Sequence, residues 1–224
     1  MSFLRTALLI FLKDFREEIR RKEHAAASVL FALLSLVLFA FALDPTQVDL
    51  NRTGSGLLWL IVLFAGSLFM GASFHKETET GTLQALLLAP CDRGAIYVGK
   101  FLVNAVFLLL LEALVLLFAF LLLDFRIGPF LPRIAVVWFA VTVGYAALGT
   151  LFSALLAQVR GGQVIYPILL FPLLVPLFIA AATLTQEALT PGFSFASQWL
   201  RLVGLFDILF FTASVVLFEY AVEE

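Results

Sequence analysis

The chain has 224 residues, of which 62% are hydrophobic and only 13% are charged, and its net charge is −2. Its mean hydropathy is +1.07. This composition is typical of a protein embedded in a membrane and excludes a soluble nucleotide-binding domain, while the net charge indicates no nucleic-acid surface. The single cysteine, Cys91, can form no disulfide within the chain, and there is no CxxCH motif for covalent haem attachment.

Residues 2–22 form an amphipathic pattern before the first long apolar run. Such a pattern predicts a helix lying in the cytoplasmic interface of the membrane, with its cations near anionic headgroups. Packing of this helix on a soluble partner is the alternative. The residues of the apolar face are Leu4, Leu8, Phe11, Leu12, Phe15 and Ile19, and those of the polar face are Lys13, Asp14, Arg16, Glu17, Arg20 and Arg21.

Six apolar segments are long enough to cross a bilayer as helices, because about 20 residues at a rise of about 1.5 Å span the hydrocarbon. The sequence therefore predicts an all-α integral membrane protein that forms a single transmembrane domain over residues 1–224. No cleavable leader is expected. The predicted spans are 25–43, 57–74, 101–123, 134–157, 164–184 and 202–222.

The distribution of lysine and arginine predicts an orientation with both termini in the cytoplasm. Most of this bias comes from the N-terminal segment. The residues predicted inside are Arg5, Lys13, Arg16, Arg20, Arg21, Lys22, Lys76, Arg93, Lys100 and Arg160. Those predicted outside are Arg52, Arg126, Arg133 and Arg201.

The longest hydrophilic connection, residues 74–100, faces the cytoplasm in this topology and contains a short predicted helix. Acidic residues favour the positive end of its dipole, a threonine can cap it and a proline ends it. The helix either rests on the lipid surface or docks its apolar edge into a groove on a cytosolic protein. The residues concerned are Glu77, Glu79, Thr80, Thr82, Leu83, Leu86, Leu87 and Pro90.

The stretch Gly94 to Lys100 has the glycines and lysine of a phosphate-binding loop. Such a loop requires serine or threonine directly after the lysine to ligate magnesium, and here Phe101 follows. The stretch is therefore interpreted as the return to the membrane, with Lys100 anchored at the headgroups.

Three polar residues lie within predicted spans. Glu112 is near the middle of the third span, where an ionised carboxylate is costly, so we expect it to face the bundle interior or to be protonated. Asn104 lies two turns earlier on roughly the same side. Both a structural hydrogen bond and a mechanistic role remain open for Glu112. Asp207 lies in the outer part of the last span, where Arg201 can draw it toward the interface.

Two further patterns concern helix geometry. Pro167, Pro172 and Pro176 fall in one span and predict a helix kink or local unwinding there, either as a deformable element or as a static kink. Small residues recur every four positions in the fourth span, which predicts close packing on a helix of this chain or of a second subunit. They are Ala140 with Gly144, and Ala146 with Thr150 and Ala154.

Two motifs carry a family resemblance. ETETGTLQALLLAP, residues 77–90, and QVRGGQVIYPILLFPLLVPLFIAAATL, residues 158–184, occur in order and at the right spacing. Together with the six spans and the amphipathic start, they resemble the permease of the cytochrome c maturation ABC transporter, the haem exporter protein B (CcmB) family. This resemblance covers essentially the whole chain and implies an ABC-2-type exporter-like fold in the bacterial inner membrane.

The resemblance implies that this chain is not an enzyme and binds no cofactor directly. ATP and magnesium would be bound by a separate CcmA-like cytosolic ATPase, present as a pair, and haem would be handled by the complex. The other implied partners are a CcmC-like second membrane subunit, a CcmD-like small membrane subunit, indirectly a CcmE-like haem chaperone, and the lipid bilayer. The implied ATPase-coupling residues are Glu77, Glu79, Gly81, Thr82, Leu83, Leu86, Leu87, Pro90, Arg160, Gly161 and Gly162.

Two rival functions remain at this stage. A similar permease could export another lipid, drug or polysaccharide, and an intramembrane enzyme could use Glu112 and Asp207 as acid and base. Haem ligation by this chain would fall to His24 or His75, which lie singly at the ends of spans. Whether haem crosses this subunit, or ATP hydrolysis drives release of a haem-loaded chaperone, stays open.

Overall fold

The computed structural model describes residues 3–43, 50–74, 78, 81, 92–123 and 130–221. The described part of the chain contains seven long helices and no strand. In chain order they are α1 (Phe3–Arg21), α2 (Glu23–Ala42), α3 (Leu50–Met70), α4 (Arg93–Leu123), α5 (Leu131–Leu156), α6 (Gly162–Ala188) and α7 (Gln198–Ala221).

Six of these helices, α2 to α7, are long and apolar enough to cross a membrane. The predicted class, an all-α protein with six spans preceded by an amphipathic helix, is confirmed. The predicted coupling helix lies outside the described residues.

Each of the six helices begins before the apolar segment that predicted it. Helix α4 begins at Arg93, so Gly94 to Lys100 is helical and offers no loop to a phosphate group. The start is set by Asp92, whose Oδ1 accepts a hydrogen bond of 2.8 Å from the backbone N–H of Gly94. A side-chain oxygen in this position satisfies one of the unpaired donors of the first helical turn.

Helix α5 is the most enclosed of the six spans and contacts α3, α4, α6 and α7. Its small residues explain this position. A Cβ placed on Gly144 would lie 2.5 Å from Asp207 Oδ1 and 2.9 Å from the Phe206 ring, both on α7. Thr150, fully buried, faces Asn104 on α4. The close packing predicted from the small residues is therefore between helices of this chain.

Polar contacts also join α3 to α5 and α6. Trp59 Nε1 donates to Thr185 Oγ1 at 2.8 Å, and Tyr145 Oη donates to the Leu63 carbonyl at 2.6 Å. The rings of Trp59 and Trp138 pack with centroids 4.6 Å apart. These large aromatic side chains hold the three helices together, and the polar atoms of Trp59 and Tyr145 are satisfied.

Helix α1 packs along α4 through a narrow contact. A Cβ on Gly99 would lie 2.8 Å from Ile10 Cβ and 2.9 Å from the Ala7 carbonyl, so only glycine admits the helix this closely. Leu4 and Leu8, from the predicted apolar face, remain 78% and 54% exposed. Helix α1 therefore meets the bundle on one face and keeps an apolar face uncovered, as a helix lying in the membrane interface would.

Helix α6 runs without interruption from Gly162 to Ala188, although it contains three prolines. The alternative of local unwinding is therefore wrong, and a kink stays a prediction. Pro172 and Pro176 lie on the exposed side, whereas Tyr166, Leu170 and Leu174 face the core. Each proline lacks a backbone N–H, so the carbonyl four residues earlier loses its partner within the helix.

Candidate functional site

The end of the bundle that carries the predicted cytoplasmic segments is held by a buried lysine. Lys100 is 3% exposed, and its Nζ lies 3.0 Å from Asp14 Oδ2 on α1. The same Nζ donates to the Ser73 carbonyl at 3.0 Å and lies 5.0 Å from the centre of the Phe74 ring. One ammonium group thus joins α1, α4 and the stretch that follows α3; we call this cluster the lysine junction.

Asp14 is 8% exposed and is shared by two lysines. Its Oδ1 lies 2.9 Å from Lys13 Nζ, and the Lys13 side chain is 51% exposed. The sequence placed Asp14 on the polar face of α1, and the structure corrects this placement, because Asp14 is buried. Lys100, predicted as an anchor at the headgroups, is buried as well. The helical spacing of Ala7, Ile10 and Asp14 on one stripe is the signal that could have shown this face.

The residues on either side of segment 75–91, which contains the predicted coupling helix, make contacts with other helices. Before it, the Phe74 backbone N–H donates to Ser153 Oγ near the end of α5 at 3.3 Å, next to the lysine junction. After it, Asp92 caps α4, and Arg93 Nη1 donates to the Glu219 carbonyl of α7 at 3.3 Å. The residues that flank this segment, Phe74 and Arg93, therefore contact α5 and α7.

Most predicted coupling residues fall outside the described residues. These are Glu77, Glu79, Thr82, Leu83, Leu86, Leu87 and Pro90. Gly81 is described, and its φ of 68° is in the left-handed region that glycine adopts without strain. His75 and Cys91 also lie outside the described residues.

The second predicted contact is the tight turn between α5 and α6. Gly161 has φ 77° and precedes the first residue of α6. A Cβ on Gly162 would overlap the Leu156 carbonyl oxygen. Both positions therefore require glycine for structural reasons. Arg160 is exposed at the tip of the turn. Because Ser153 of α5 contacts Phe74, this turn lies at the same end of the bundle as Phe74, the residue that precedes segment 75–91.

Two polar pairs join α4 to α5 within the spans. Asn104 Nδ2 donates to Thr150 Oγ1 at 2.8 Å, and the Thr142 hydroxyl lies 2.8 Å from both carboxyl oxygens of Glu112. The two residues on each helix are eight positions apart, so the pairs are successive rungs between antiparallel helices. Asn104 and Glu112 thus share one side of α4, as their spacing predicts.

Asp207 is separate from these rungs. Its carboxyl group lies against Gly144 on α5, and its Oδ1 has no hydrogen-bond partner among the described residues. Arg201 does not draw it outward, because Arg201 Nη2 donates to the Ala196 carbonyl at 2.9 Å. Thr142 and Gly144 are two positions apart on α5, about 200° around the helix, so Glu112 and Asp207 lie on different sides of α5. This arrangement does not support their use as a converging acid and base.

Taken together, the fold and the site define an all-α protein with six helices able to span a membrane and a loop-bearing end tied to an amphipathic N-terminal helix. Residues 5–223 match the CcmB protein family, so the chain belongs to that family.

Curated relatives of this chain are described as "Heme exporter protein B". The protein from Rhodobacter capsulatus is 32% identical over 181 residues, which are 78% of this chain and 80% of the relative. The one from Bradyrhizobium diazoefficiens is 28% identical over 89% of this chain and 90% of the relative. The one from Pseudomonas aeruginosa is 27% identical over 81% of each.

Proposed function

We propose that this chain is the membrane subunit of an ABC transporter for cytochrome c maturation, seated in the bacterial inner membrane with both termini in the cytoplasm. ATP would be hydrolysed by a separate cytosolic subunit, acting as a pair, and this chain would convert the movement of that subunit into movement of the spans. Family membership and the names of the relatives support the transporter class.

The lysine junction is the observation that supports coupling through segment 75–91. The segment begins directly after Phe74, which contacts Lys100 and Ser153, and ends at Asp92, which caps α4. A partner that pushes on the segment would displace α1, α4, α5 and α7 together, because their side chains hold its two ends. Residues Arg160, Gly161 and Gly162 would form the second contact at the same end of the bundle.

The involvement of haem is proposed from the family, and haem would be handled by the whole complex. A second membrane subunit and a small membrane subunit would assemble with this chain, and a haem chaperone would contact the complex indirectly. Glu112 and Asn104 would serve packing between α4 and α5, because each has a hydroxyl partner on α5. Movement of the cytoplasmic end of the bundle would then be passed along the α4–α5 pair.

Docking of the ATPase can be tested by copurification from membranes with the tagged full chain. Changing Leu83 and Leu86 to Asp places two charges on the predicted apolar edge of the coupling helix. We expect loss of the ATPase subunit and of its transport-linked activity, because a charge cannot be buried unpaired in an apolar groove. Leu88→Asp is the matched control, since a helix places Leu88 on the opposite side.

Equal recovery of the ATPase with the double variant and with Leu88→Asp would contradict the docking proposal. Loss of the ATPase with both variants, while the chain itself is absent from the membrane, would indicate misfolding. The level of the chain in washed membranes must therefore be measured in parallel.

A further inference from the structure

A slot beside the lysine junction lies between α1, α2 and α4, where α1 ends and α2 begins. Its volume is about 270 Å³. Apolar side chains of all three helices form its walls, among them Phe15 and Ile19 of α1, Ala25 of α2, and Phe107 and Leu110 of α4. Ile19 and Leu110 are 52% and 58% exposed, so the slot opens onto the outside of the bundle, where a spanning protein meets lipid.

The dimensions of the slot suit a hydrocarbon chain and are too small for a helix. Along α4 the slot extends from Val103 to Leu110, roughly 10 Å at a rise of about 1.5 Å per residue. A helix segment of that length, roughly 10 Å across, occupies about 800 Å³, which is about three times the volume of the slot. One leaflet contributes about 15 Å of hydrocarbon, half of the total thickness of about 30 Å. The slot therefore accommodates the upper part of one acyl chain.

Lys22, the residue that joins α1 to α2, lines the slot and is exposed. Its φ is 58°, the only positive φ of a non-glycine residue in the described part of the chain. Such a conformation is uncommon for lysine, and residues held in it concentrate at functional sites. Two hydrogen bonds hold the turn, from the Lys22 N–H to the Glu18 carbonyl at 2.9 Å and from the Ala26 N–H to the Lys22 carbonyl at 2.7 Å. The turn thus fixes a cation beside an apolar slot.

The free charges around this corner are mostly positive. Arg16, Arg20 and Lys22 are exposed, and their side chains have no ion-pair partner among the described residues. Glu18, the acidic residue that lines the slot, is engaged within the protein, because its Oε1 accepts a hydrogen bond of 3.3 Å from the backbone of α2. Over residues 3–43, Glu23 is the one exposed acidic residue. Three free cations beside one exposed acid favour an anionic ligand.

The apolar slot and the cations together specify the kind of ligand. An anionic phospholipid brings an acyl chain for the slot and a phosphate for the lysine ammonium. The uncovered leucines of α1 place this corner at the depth of the headgroups. An acidic cytosolic protein meets the cations but supplies no hydrocarbon chain for the slot.

We propose that this corner binds an anionic phospholipid of the adjacent leaflet, with one acyl chain in the slot between α1, α2 and α4 and the phosphate at Lys22. The site is separate from the coupling function and does not depend on it. The bound lipid would brace the end of α1 against the first span.

The proposal can be tested by photolabelling the full chain in phosphatidylcholine nanodiscs. The two probes are phosphatidylglycerol and phosphatidylcholine that carry the same diazirine in the upper part of one acyl chain. We expect phosphatidylglycerol to label the α4 peptide around Phe107 about threefold to fivefold more than phosphatidylcholine, which corresponds to at most about 1 kcal/mol for an exposed charge pair. Peptide mapping by mass spectrometry gives the ratio.

Two pairs of variants locate the ligand. Ala25→Phe fills the slot and should reduce labelling around Phe107 to background, whereas Ala26→Phe, its exposed neighbour that does not line the slot, should leave labelling unchanged. Lys22→Asn removes the charge with a residue that tolerates a positive φ, so the two probes should then label equally. Lys22→Arg keeps the charge and should keep the preference for phosphatidylglycerol.

Equal labelling of the unchanged chain by the two probes, or labelling that survives Ala25→Phe, would overturn the proposal. A preference that persists in Lys22→Asn would assign it to general attraction by the arginines of α1 and would overturn the site at Lys22. Loss of labelling when the partner membrane subunits are added would identify a protein as the occupant, which overturns the proposal as well. If Ala25→Phe fails to fold, the comparison of Lys22→Asn with Lys22→Arg still decides, because the Lys22 side chain is exposed.

Discussion

At the scale of single residues, the buried ion pair between Asp14 and Lys100 is the feature with the largest expected effect. Removing one partner of a buried pair leaves an uncompensated charge and typically costs about 3–5 kcal/mol, while replacing both with apolar residues is often neutral. We expect Lys100→Met to lower the free energy of unfolding by about 1–3 kcal/mol, less than the full cost because Lys13 Nζ remains 2.9 Å from Asp14 Oδ1. Asp14→Leu combined with Lys100→Met should recover most of this loss.

The control for this experiment is Lys13→Met, because the Lys13 side chain is 51% exposed and an exposed pair contributes about 0–1 kcal/mol. Unfolding of the purified chain in mild detergent measures four variants: Lys100→Met, Asp14→Leu, the double variant and Lys13→Met. Additive losses in the double variant would show that Asp14 and Lys100 act independently.

The Glu112–Thr142 rung permits a second test at this scale. Thr142→Val keeps the shape of the side chain and removes the hydroxyl that lies 2.8 Å from both carboxyl oxygens. We expect a loss of about 1–3 kcal/mol of stability, the cost of an unpaired buried polar group. Thr183→Val is the matched control, since the Thr183 hydroxyl is exposed and donates to the Ile179 carbonyl. Equal effects of the two changes would contradict a structural role for the rung.

At the scale of helices, the contact of α1 with α4 depends on Gly99. Gly99→Ala places a methyl group against Ile10 and the Ala7 carbonyl, so α1 must move away from α4. We expect faster amide hydrogen exchange throughout α1. Gly204→Ala on α7 is the control, because a Cβ there meets no atom within 4 Å and alanine favours a helix over glycine. Unchanged exchange in Gly99→Ala would show that α1 is held elsewhere.

The prolines of α6 allow a prediction that separates a deformable helix from a static one. Pro172→Ala restores a backbone donor and removes a clash within the helix, effects of about 3 kcal/mol in helix interiors. We expect a higher melting temperature together with slower ATP-driven turnover in the assembled transporter, because a stiffer helix transmits less movement. A gain in stability with unchanged turnover would indicate a static kink.

Helix ends illustrate the limits of reading elements from sequence. The apolar run starting at Phe101 predicts a span correctly, but the helix begins at Arg93, because Asp92 caps it and polar interfacial residues continue it. The sequence shows the capping residue, Asp92, directly before Arg93 and Gly94. A prediction from hydropathy alone does not use this information. The spacing of the small residues on α5 predicts that one face of this helix packs closely. It does not show which helix that face contacts.

At the scale of the whole molecule, the alternation of helix ends agrees with the predicted topology. Arg93 at the start of α4 donates to the Glu219 carbonyl near the end of α7, and Arg133 at the start of α5 donates to the Thr190 carbonyl just beyond α6. The first contact lies at the end of the bundle that contains the lysine junction, and the second lies at the opposite end of the bundle. Which end faces the cytoplasm is a prediction from the lysine and arginine distribution.

This orientation can be tested with the native cysteine. We expect Cys91 to react with a membrane-impermeant maleimide in inside-out vesicles and to stay unlabelled in intact cells with a permeable outer membrane. Cysteine introduced at Arg133 in a Cys91→Ser background should show the reverse pattern. Labelling of Cys91 from the outside would remove the segment from reach of a cytosolic ATPase.

The amino-acid sequence by itself determined the number of spans, the amphipathic character of α1 and the family, because hydropathy, periodicity and motif spacing are properties of neighbouring residues. Only the tertiary structure decided that Asp14 meets Lys100, that Thr142 faces Glu112 and that Asp207 lies on another side of α5. These contacts join residues on different helices. Which of them meet depends on how closely the helices approach, and that is set by side chains such as Gly99 and Gly144 acting across the bundle.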